Sequence, residues 1–416
     1  MVRTVKKAPQ SKLAVATSGE NDEVAIISTS DRSAFRSCRR KWNWQSHLRQ
    51  GLSPLEQKHP LWFGSGFHHA LEDLHGPRLY KNTDQAVEDY VQATMRHYGE
   101  EHLPESAFDD IELMKSMLNY YQDEWLKARG RDPLKTYKVL GEPQVEVPFE
   151  FEIPVAPSLL KRTRYKKVIY RGIIDRVVRD ENGMLWLQDY KSVARFTHPD
   201  HLELDSQIGV YLWAASYIYR SPVVGFVYTQ FRKAAVQEPR ILKDGSISAD
   251  RDQNTSHGLY RRALIEMYGD NSGAWPSKNK EVLQIFAGYE EEEADKFIRR
   301  DRVYRDPKML EAEGNKILAE VSDMLDPDIR VYPSPSWLCP TMCSFIEPCM
   351  QMDRGEDYKS TLQYDYQERD YTQRNDWRVY LKVGRTEDKK TVVGKPTSSK
   401  KPILASKKSK IRKKRT

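Results

Sequence analysis

A chain of 416 residues, 39% hydrophobic and 31% charged, has enough material to bury a full core while carrying polar tails. No apolar run approaches the ~20 residues that span a bilayer, and residues 1–23 lack an apolar signal-peptide core, so a cytoplasmic protein without membrane attachment is expected. The net charge of +7 is unevenly placed: residues 389–416 hold 12 Lys and Arg and no acid, leaving the rest at −5. A body this acidic with so basic a tail suits a partner with a phosphate backbone, bound without sequence preference.

Residues 1–23 read as disordered by composition. Val24-Ala-Ile-Ile leads into Ser28-Thr-Ser30, an N-cap cluster for a helix starting near Asp31. Ala34, Phe35, Cys38 and Trp42 then recur at helical spacing and form one apolar face. Gly64 and Gly66 mark a close backbone approach where a second helix begins, with His68 in its first turns and Leu71 and Leu74 further along. Residues 83–98 and 108–127 are amphipathic and predict two more helices. Residues 136–153 alternate apolar with polar positions and predict a strand that pairs with the strand bearing Asp175.

Two short apolar runs, 169–178 and 184–193, flank turn residues 180–183 and predict a hairpin. Asp175 lies in the first run among Ile173, Ile174, Val177 and Val178. In the second, Asp189 and Lys191 are two apart and share a face. Two carboxylates and an ammonium in a water-accessible notch would hold a divalent cation and steer a phosphate. The plainer alternative is a surface hairpin with a weak exposed ion pair.

A helix is predicted from near Leu204, with Gln207 and Tyr211 on one face, and residues 223–231 read as a buried strand closing a β–α–β passage. Residues 234–330 are charged, with helical patterns at 261–268, 290–304 and 309–324, and predict a helical lobe over the core. Cys339, Cys343 and Cys349 fall close together, with Cys38 far upstream; four thiolates would staple the two ends of the fold around Zn²⁺ or an iron–sulfur cluster. Residues 351–388 form a polar, Tyr-rich extension ahead of the disordered basic tail.

Gly64-x-x-x-His68, Gly172-x-x-Asp175, Asp189-x-Lys191 and Gln207-x-x-x-Tyr211 occur in an order that resembles the RecB-type branch of the PD-(D/E)xK nucleases, over about residues 28–349. The resemblance implies an α/β restriction-endonuclease-like core, a mixed sheet flanked by helices, within one nuclease domain at 24–350. It implies Mg²⁺ or Mn²⁺ held by His68, Asp175, Asp189 and the backbone carbonyl of Tyr190. Lys191 would act on the attacking water or stabilise charge, and Gln207 and Tyr211 would shape the DNA cleft. One leading and three trailing cysteines resemble the CRISPR-associated and AddB-type members, which implies a [4Fe-4S] cluster on Cys38, Cys339, Cys343 and Cys349. That family usually has two residues between the second and third cysteines; here Pro340, Thr341 and Met342 make three. The implied activity is exonucleolytic, on single-stranded DNA or free ends, as in the stand-alone phage-type members. Recombination or helicase proteins are the implied partners; the chain has no GxxxxGK[ST] of its own. A silent DNA-binding accessory protein, a scaffold, or a nuclease active only within a recombination or CRISPR-adaptation complex are the rival readings.

Overall fold

The computed structural model describes residues 24–55, 59–98, 106–128, 132–219, 222–291 and 293–368; segment 1–23 and the basic tail lie outside the described residues. Alternating burial makes β1 (Val24–Ser28), and Ser28 then caps α1 (Thr29–Ser37). Its hydroxyl accepts from the Asp31 N–H at 3.2 Å, while the Asp31 carboxylate accepts from the Ser28 N–H at 3.1 Å. This reciprocal box satisfies donors that a helix start leaves open. The one helix expected through Trp42 is two: the backbone is extended at Cys38 and restarts as α2 (Arg39–Gln45).

β2 (Leu52–Pro54) precedes α3 (His59–His75), which starts ahead of Gly64 and Gly66, so neither glycine marks the helix start. Gly66 instead admits α4 (Thr83–Tyr98): a Cβ there would stand 2.7 Å from the Tyr90 ring. α5 (Ala107–Asn119) runs on through a π-helical stretch, Tyr120–Trp125, into α6 (Leu126–Ala128).

The strand expected over 136–153 is broken into β3 (Lys135–Thr136), β4 (Lys138–Val139), β5 (Glu142–Pro143) and β6 (Val145–Ile153). Leu140 and Gly141, at φ 54° and 90°, turn β4 back on β5, which period-two patterning alone does not reveal. After α7 (Pro157–Leu160) come β7 (Lys167–Arg179) and β8 (Leu185–Val193), the expected hairpin. α8 (Pro199–Leu204) leads to α9 (Ser206–Ile218), whose first turn is capped by Asp205 accepting from the Gln207 N–H at 2.7 Å. β9 (Val223–Arg232) runs parallel to β8 and completes the β–α–β passage.

The segment expected as a helical lobe divides. α10 (His257–Tyr268) and α11 (Ser277–Ala287) share a small core with Ile247 and Trp275. Residues expected as helix within 290–304 contain β10 (Ile298–Val303), antiparallel to β9 at the edge of the central sheet. Its charges are paired, Arg299 with Asp301 at 2.9 Å and Arg302 with Glu293 at 2.8 Å, and a charged edge strand resists further pairing. α12 (Pro307–Leu325) packs on α9. α13 (Cys339–Met342), α14 (Ile346–Arg354), α15 (Tyr358–Tyr364) and β11 (Tyr366–Glu368) follow, and β11 pairs with β2. Trp44, Phe345 and Leu362 bury the join with α2.

The central mixed sheet runs β1-β7-β8-β9-β10 with helices packed on it. One edge of β7 carries β6 along Val168–Arg176, so β1 (to Arg171) and β8 (from Arg176) share the other edge. Residues 172–175 lie in the gap where β1 and β8 part. The candidate site occupies that fork.

Candidate active site

Sheet geometry alone brings Asp175 to the fork, at the last position before β8 begins to pair. Gly172, three residues earlier, lies under the Phe149 ring of β6, where a Cβ would come within 2.4 Å. Asp175 Oδ2 accepts from the Tyr190 N–H at 2.9 Å, using a donor that strand pairing with β7 no longer engages. α3 crosses this gap and delivers His68. Its Nε2 is 2.9 Å from the Tyr190 carbonyl, and its Nδ1 is 3.4 Å from Asp175 Oδ2 and 3.7 Å from Glu146 Oε1. His68, Glu146 and Asp175 each offer a ligand atom within 4.8 Å of the others, the one such group among the described residues.

β8 sends alternate side chains to opposite sides. Asp189 and Lys191 point towards α9: Lys191 Nζ is 2.6 Å from Asp189 Oδ2, and Gln207 Nε2 donates to Asp189 Oδ1 at 3.0 Å. Asp189 is 1% exposed, whereas the Lys191 side chain is 31% exposed and reaches solvent. Gln188 and Tyr190 point the other way into a buried cluster with Arg176. That guanidinium donates to Gln188 Oε1 at 3.1 Å and to the Tyr190 hydroxyl at 3.3 Å. Asp132 answers both Arg176, at 3.4 Å, and Arg300, at 2.8 Å.

The charges perturb one another in definite directions. Burial lifts the Asp189 carboxyl to about 6, against the pull of Lys191 and with a push from Asp175. Burial also raises Asp175, opposed by His68 and reinforced by Glu146. For His68, burial disfavours the imidazolium, but Asp175 and then Glu146 outweigh it and bring the ring to about 9. Lys191 is likewise disfavoured by burial yet held above its ordinary range by Asp189 and Asp175. It is an ammonium.

One imidazole, two carboxylates and a backbone carbonyl within reach suit a divalent cation with oxygen and nitrogen donors, Mg²⁺ or more readily Mn²⁺. Of the sequence-predicted residues, the fold places His68, Asp175 and the Tyr190 carbonyl together. Asp189 stands alongside with its oxygens engaged by Lys191 and Gln207. Gln207, expected to line a DNA cleft, has its amide on Asp189. Tyr211 is 7% exposed and packs edge-on to Phe149 at 5.7 Å, so its ring belongs to the core beneath the site. Glu146 was not anticipated. As one acidic position in an alternating strand it carries no spacing signal, and only the β6–β7 register sets it across from Asp175.

Cys38 is the N-cap of α2, Cys339 begins α13, Cys343 follows it, and Cys349 lies in α14; none of the four is in a disulfide, and all are half-buried. The backbone N–H of Ser334 donates to Cys38 Sγ at 3.4 Å and Arg40 to Cys349 Sγ at 3.3 Å. Burial raises the Cys343 thiol, and Cys339 and Cys38 are near enough to add to the shift. No three of the thiols meet within 4.8 Å, so they do not form a closed single-ion site.

Compared with family models, residues 26–350 match that of the PD-(D/E)XK nuclease superfamily. A comparison with curated proteins gives no match. One similar solved structure, described as "Crystal structure of SSO0001", is 12% identical and covers 79% of this chain and 86% of its own, with a TM-score of 0.30. A likeness that low carries no argument. No helix among the described residues is long and apolar enough to cross a membrane.

Proposed function

The chain belongs to the PD-(D/E)XK nuclease superfamily, and from that premise we propose that it is a metal-dependent DNA exonuclease of the RecB-like kind, working on single-stranded DNA or free ends. The observation that carries this reading is the fork, where His68, Asp175 and the Tyr190 carbonyl converge beside the Asp189–Lys191 pair. These groups would hold Mg²⁺ or Mn²⁺, which when bound supplies a water of lowered pKa and neutralises phosphate charge.

The residues of the chain do the rest. Lys191, kept cationic by Asp189 and Asp175, sits half-exposed where a phosphate would bear its growing charge, which supports electrostatic stabilisation over proton abstraction. Gln207 fixes the Asp189 carboxylate through Oδ1. Arg176 and Gln188 hold the Tyr190 hydroxyl on the far side of β8 and so fix the carbonyl that faces His68. Tyr211, on α9, anchors that helix to the core beneath the site through Phe149.

The cysteines belong to the same proposal as ligands of a [4Fe-4S] cluster. A structural zinc ion on the same four thiols is the alternative, since both groups take tetrahedral sulfur ligation. The cluster would join α2 to α13 and α14 as a structural tie. Recombination or helicase partners and a cytoplasmic setting complete the reading.

The test uses anaerobically purified full chain, end-labelled linear single- and double-stranded DNA, and a circular single strand, with Mg²⁺, Mn²⁺ or EDTA. The expected result is metal-dependent digestion of the linear substrates and an intact circle. Tight binding without cleavage under either metal would overturn the catalytic reading. Iron and sulfide analysis of the same preparation decides the cluster.

A further inference from the structure

We propose that the Tyr228 hydroxyl is a further catalytic contact, donating a hydrogen bond to the phosphate that Lys191 meets. The inference rests on reading the chain as a nuclease and deepens it at a residue that is no metal ligand. β9 lies parallel to β8 and pairs Tyr228 with Asp189 and Gln230 with Lys191. Residues paired on neighbouring strands project to the same face, one strand spacing of about 4.8 Å apart. The Tyr228 ring therefore stands beside Asp189, on the side of the sheet where Lys191 reaches solvent.

β10 continues the row, with Asp301 paired to Tyr228. The phenol thus has Asp189, Asp205, Asp301 and Lys191 around it. Each of these acids is already engaged. Lys191 and Gln207 hold Asp189, and the Gln207 N–H donates to Asp205 Oδ1 at 2.7 Å. Arg299 and Gln230 hold Asp301 at 2.9 and 3.2 Å. Among the described residues the Tyr228 hydroxyl has no hydrogen-bond partner, although the residue is only 8% exposed. A hydroxyl so placed costs free energy unless an acceptor reaches it, and phenylalanine would fill the same space without that cost. Burial holds the phenol up to about 12, with Lys191 opposing and the three acids adding to the rise, so it is a donor. A phosphate brought to the Lys191 ammonium supplies the missing acceptor as an anionic oxygen, the stronger kind of hydrogen bond. Tyr211, expected to line the cleft, packs on Phe149 instead. Tyr228 is the tyrosine that the sheet sets beside Lys191.

A purely structural alternative makes Tyr228 a ring packed in the sheet and nothing more. The two roles separate in single-turnover cleavage by the full chain with Mn²⁺. The end-labelled DNA carries, at the cleaved linkage, either a normal phosphate or a phosphorothioate of one defined configuration. Wild type, Tyr228→Phe and the control Tyr219→Phe are compared, and melting of each is recorded in EDTA. Tyr219, at the far end of α9, also has a hydroxyl without a partner. The expected result is cleavage of normal DNA about tenfold or more slower in Tyr228→Phe, the worth of one hydrogen bond to a charged group. One sulfur configuration should slow wild type more than it slows Tyr228→Phe, because that variant has already lost the contact. Melting of Tyr228→Phe should match wild type, and Tyr219→Phe should cleave as wild type does. A wild-type rate in Tyr228→Phe would overturn the inference, as would a lower rate with an undiminished sulfur effect or with lower melting. If wild type itself cleaves no DNA, the nuclease reading fails and the inference with it.

Discussion

Two charged clusters flank β8, and they are charged in opposite senses. At the fork, Asp175, Asp189 and Glu146 outnumber Lys191 and the His68 imidazolium, and the group opens to solvent through the Lys191 side chain. On the other side, Arg176 and Arg300 share Asp132 and are closed off, at 3% and 5% exposure. Most of the buried cluster is paired within itself, with tyrosine hydroxyls and the Leu134 carbonyl accepting from the guanidinium groups, while Arg300 Nε is left without a hydrogen-bond partner. The fork is left with an excess of acids, and burial raises the Asp175 and Asp189 carboxyls, with a further push on Asp175 from Glu146 and on Asp189 from Asp175. A closed, mutually paired cluster holds the sheet. An open, unbalanced one waits for a cation. Tyr190 joins them, with its hydroxyl in the first and its N–H and carbonyl in the second.

This contrast can be broken by substitution. Beside the ligand group itself, the largest effect is expected from Asp189→Asn, which should lower DNA cleavage by roughly a thousandfold or more, comparable to removing a group that stabilises transition-state charge. The same variant should not lose stability in EDTA. Because the Asp189 carboxyl titrates at about 6 in the fold, above its ordinary value, the folded state favours its protonated form. That contribution is complete at low pH and is lost as pH rises through about 6. Melting temperatures in EDTA should therefore fall between about pH 4 and about pH 6 for wild type, and this part of the fall should be absent in Asp189→Asn.

Arg300→Met attacks the other cluster. It strips Asp132 of its closer partner and should cost about 3 kcal/mol or more in folding free energy, measured by urea denaturation. Activity per folded molecule at a permissive temperature should stay near wild type. Lys191→Ala comes next, with kcat lower by about a hundredfold and little change in DNA affinity. Gln207→Ala should have the smallest effect, about tenfold in kcat, because it frees Asp189 Oδ1 without removing the carboxylate. A Gln207→Ala protein as inactive as Asp189→Asn would mean that Gln207 touches the substrate itself.

Much of the fork was legible in the sequence because its parts are local. The β7–β8 hairpin follows from two apolar runs around a turn, and Asp189-x-Lys191 follows from strand alternation. Gln207 is fixed by the cap at Asp205 that starts α9. What escaped depends on tertiary pairing. Glu146 owes its place to register and a left-handed turn, neither of which leaves a spacing. β10 reads as helix because its arginines break strand patterning, and it is a strand through its pairing with β9, with Asp301 and Glu293 neutralising two of those arginines. Of the two glycines expected at a close approach, Gly66 meets the Tyr90 ring of α4, whereas Gly64 has nothing within 4 Å of the place a Cβ would take. The break at Cys38 interrupts a face whose helical spacing continues unbroken across it.

The most direct test of the central claim is single-turnover cleavage of end-labelled DNA with Mn²⁺ by wild type and Asp175→Asn, with a far-ultraviolet melting curve of each. The account expects cleavage by wild type, none by Asp175→Asn, and cooperative melting of both. Cleavage by Asp175→Asn at the wild-type rate would contradict it, and would move the chemistry away from the fork.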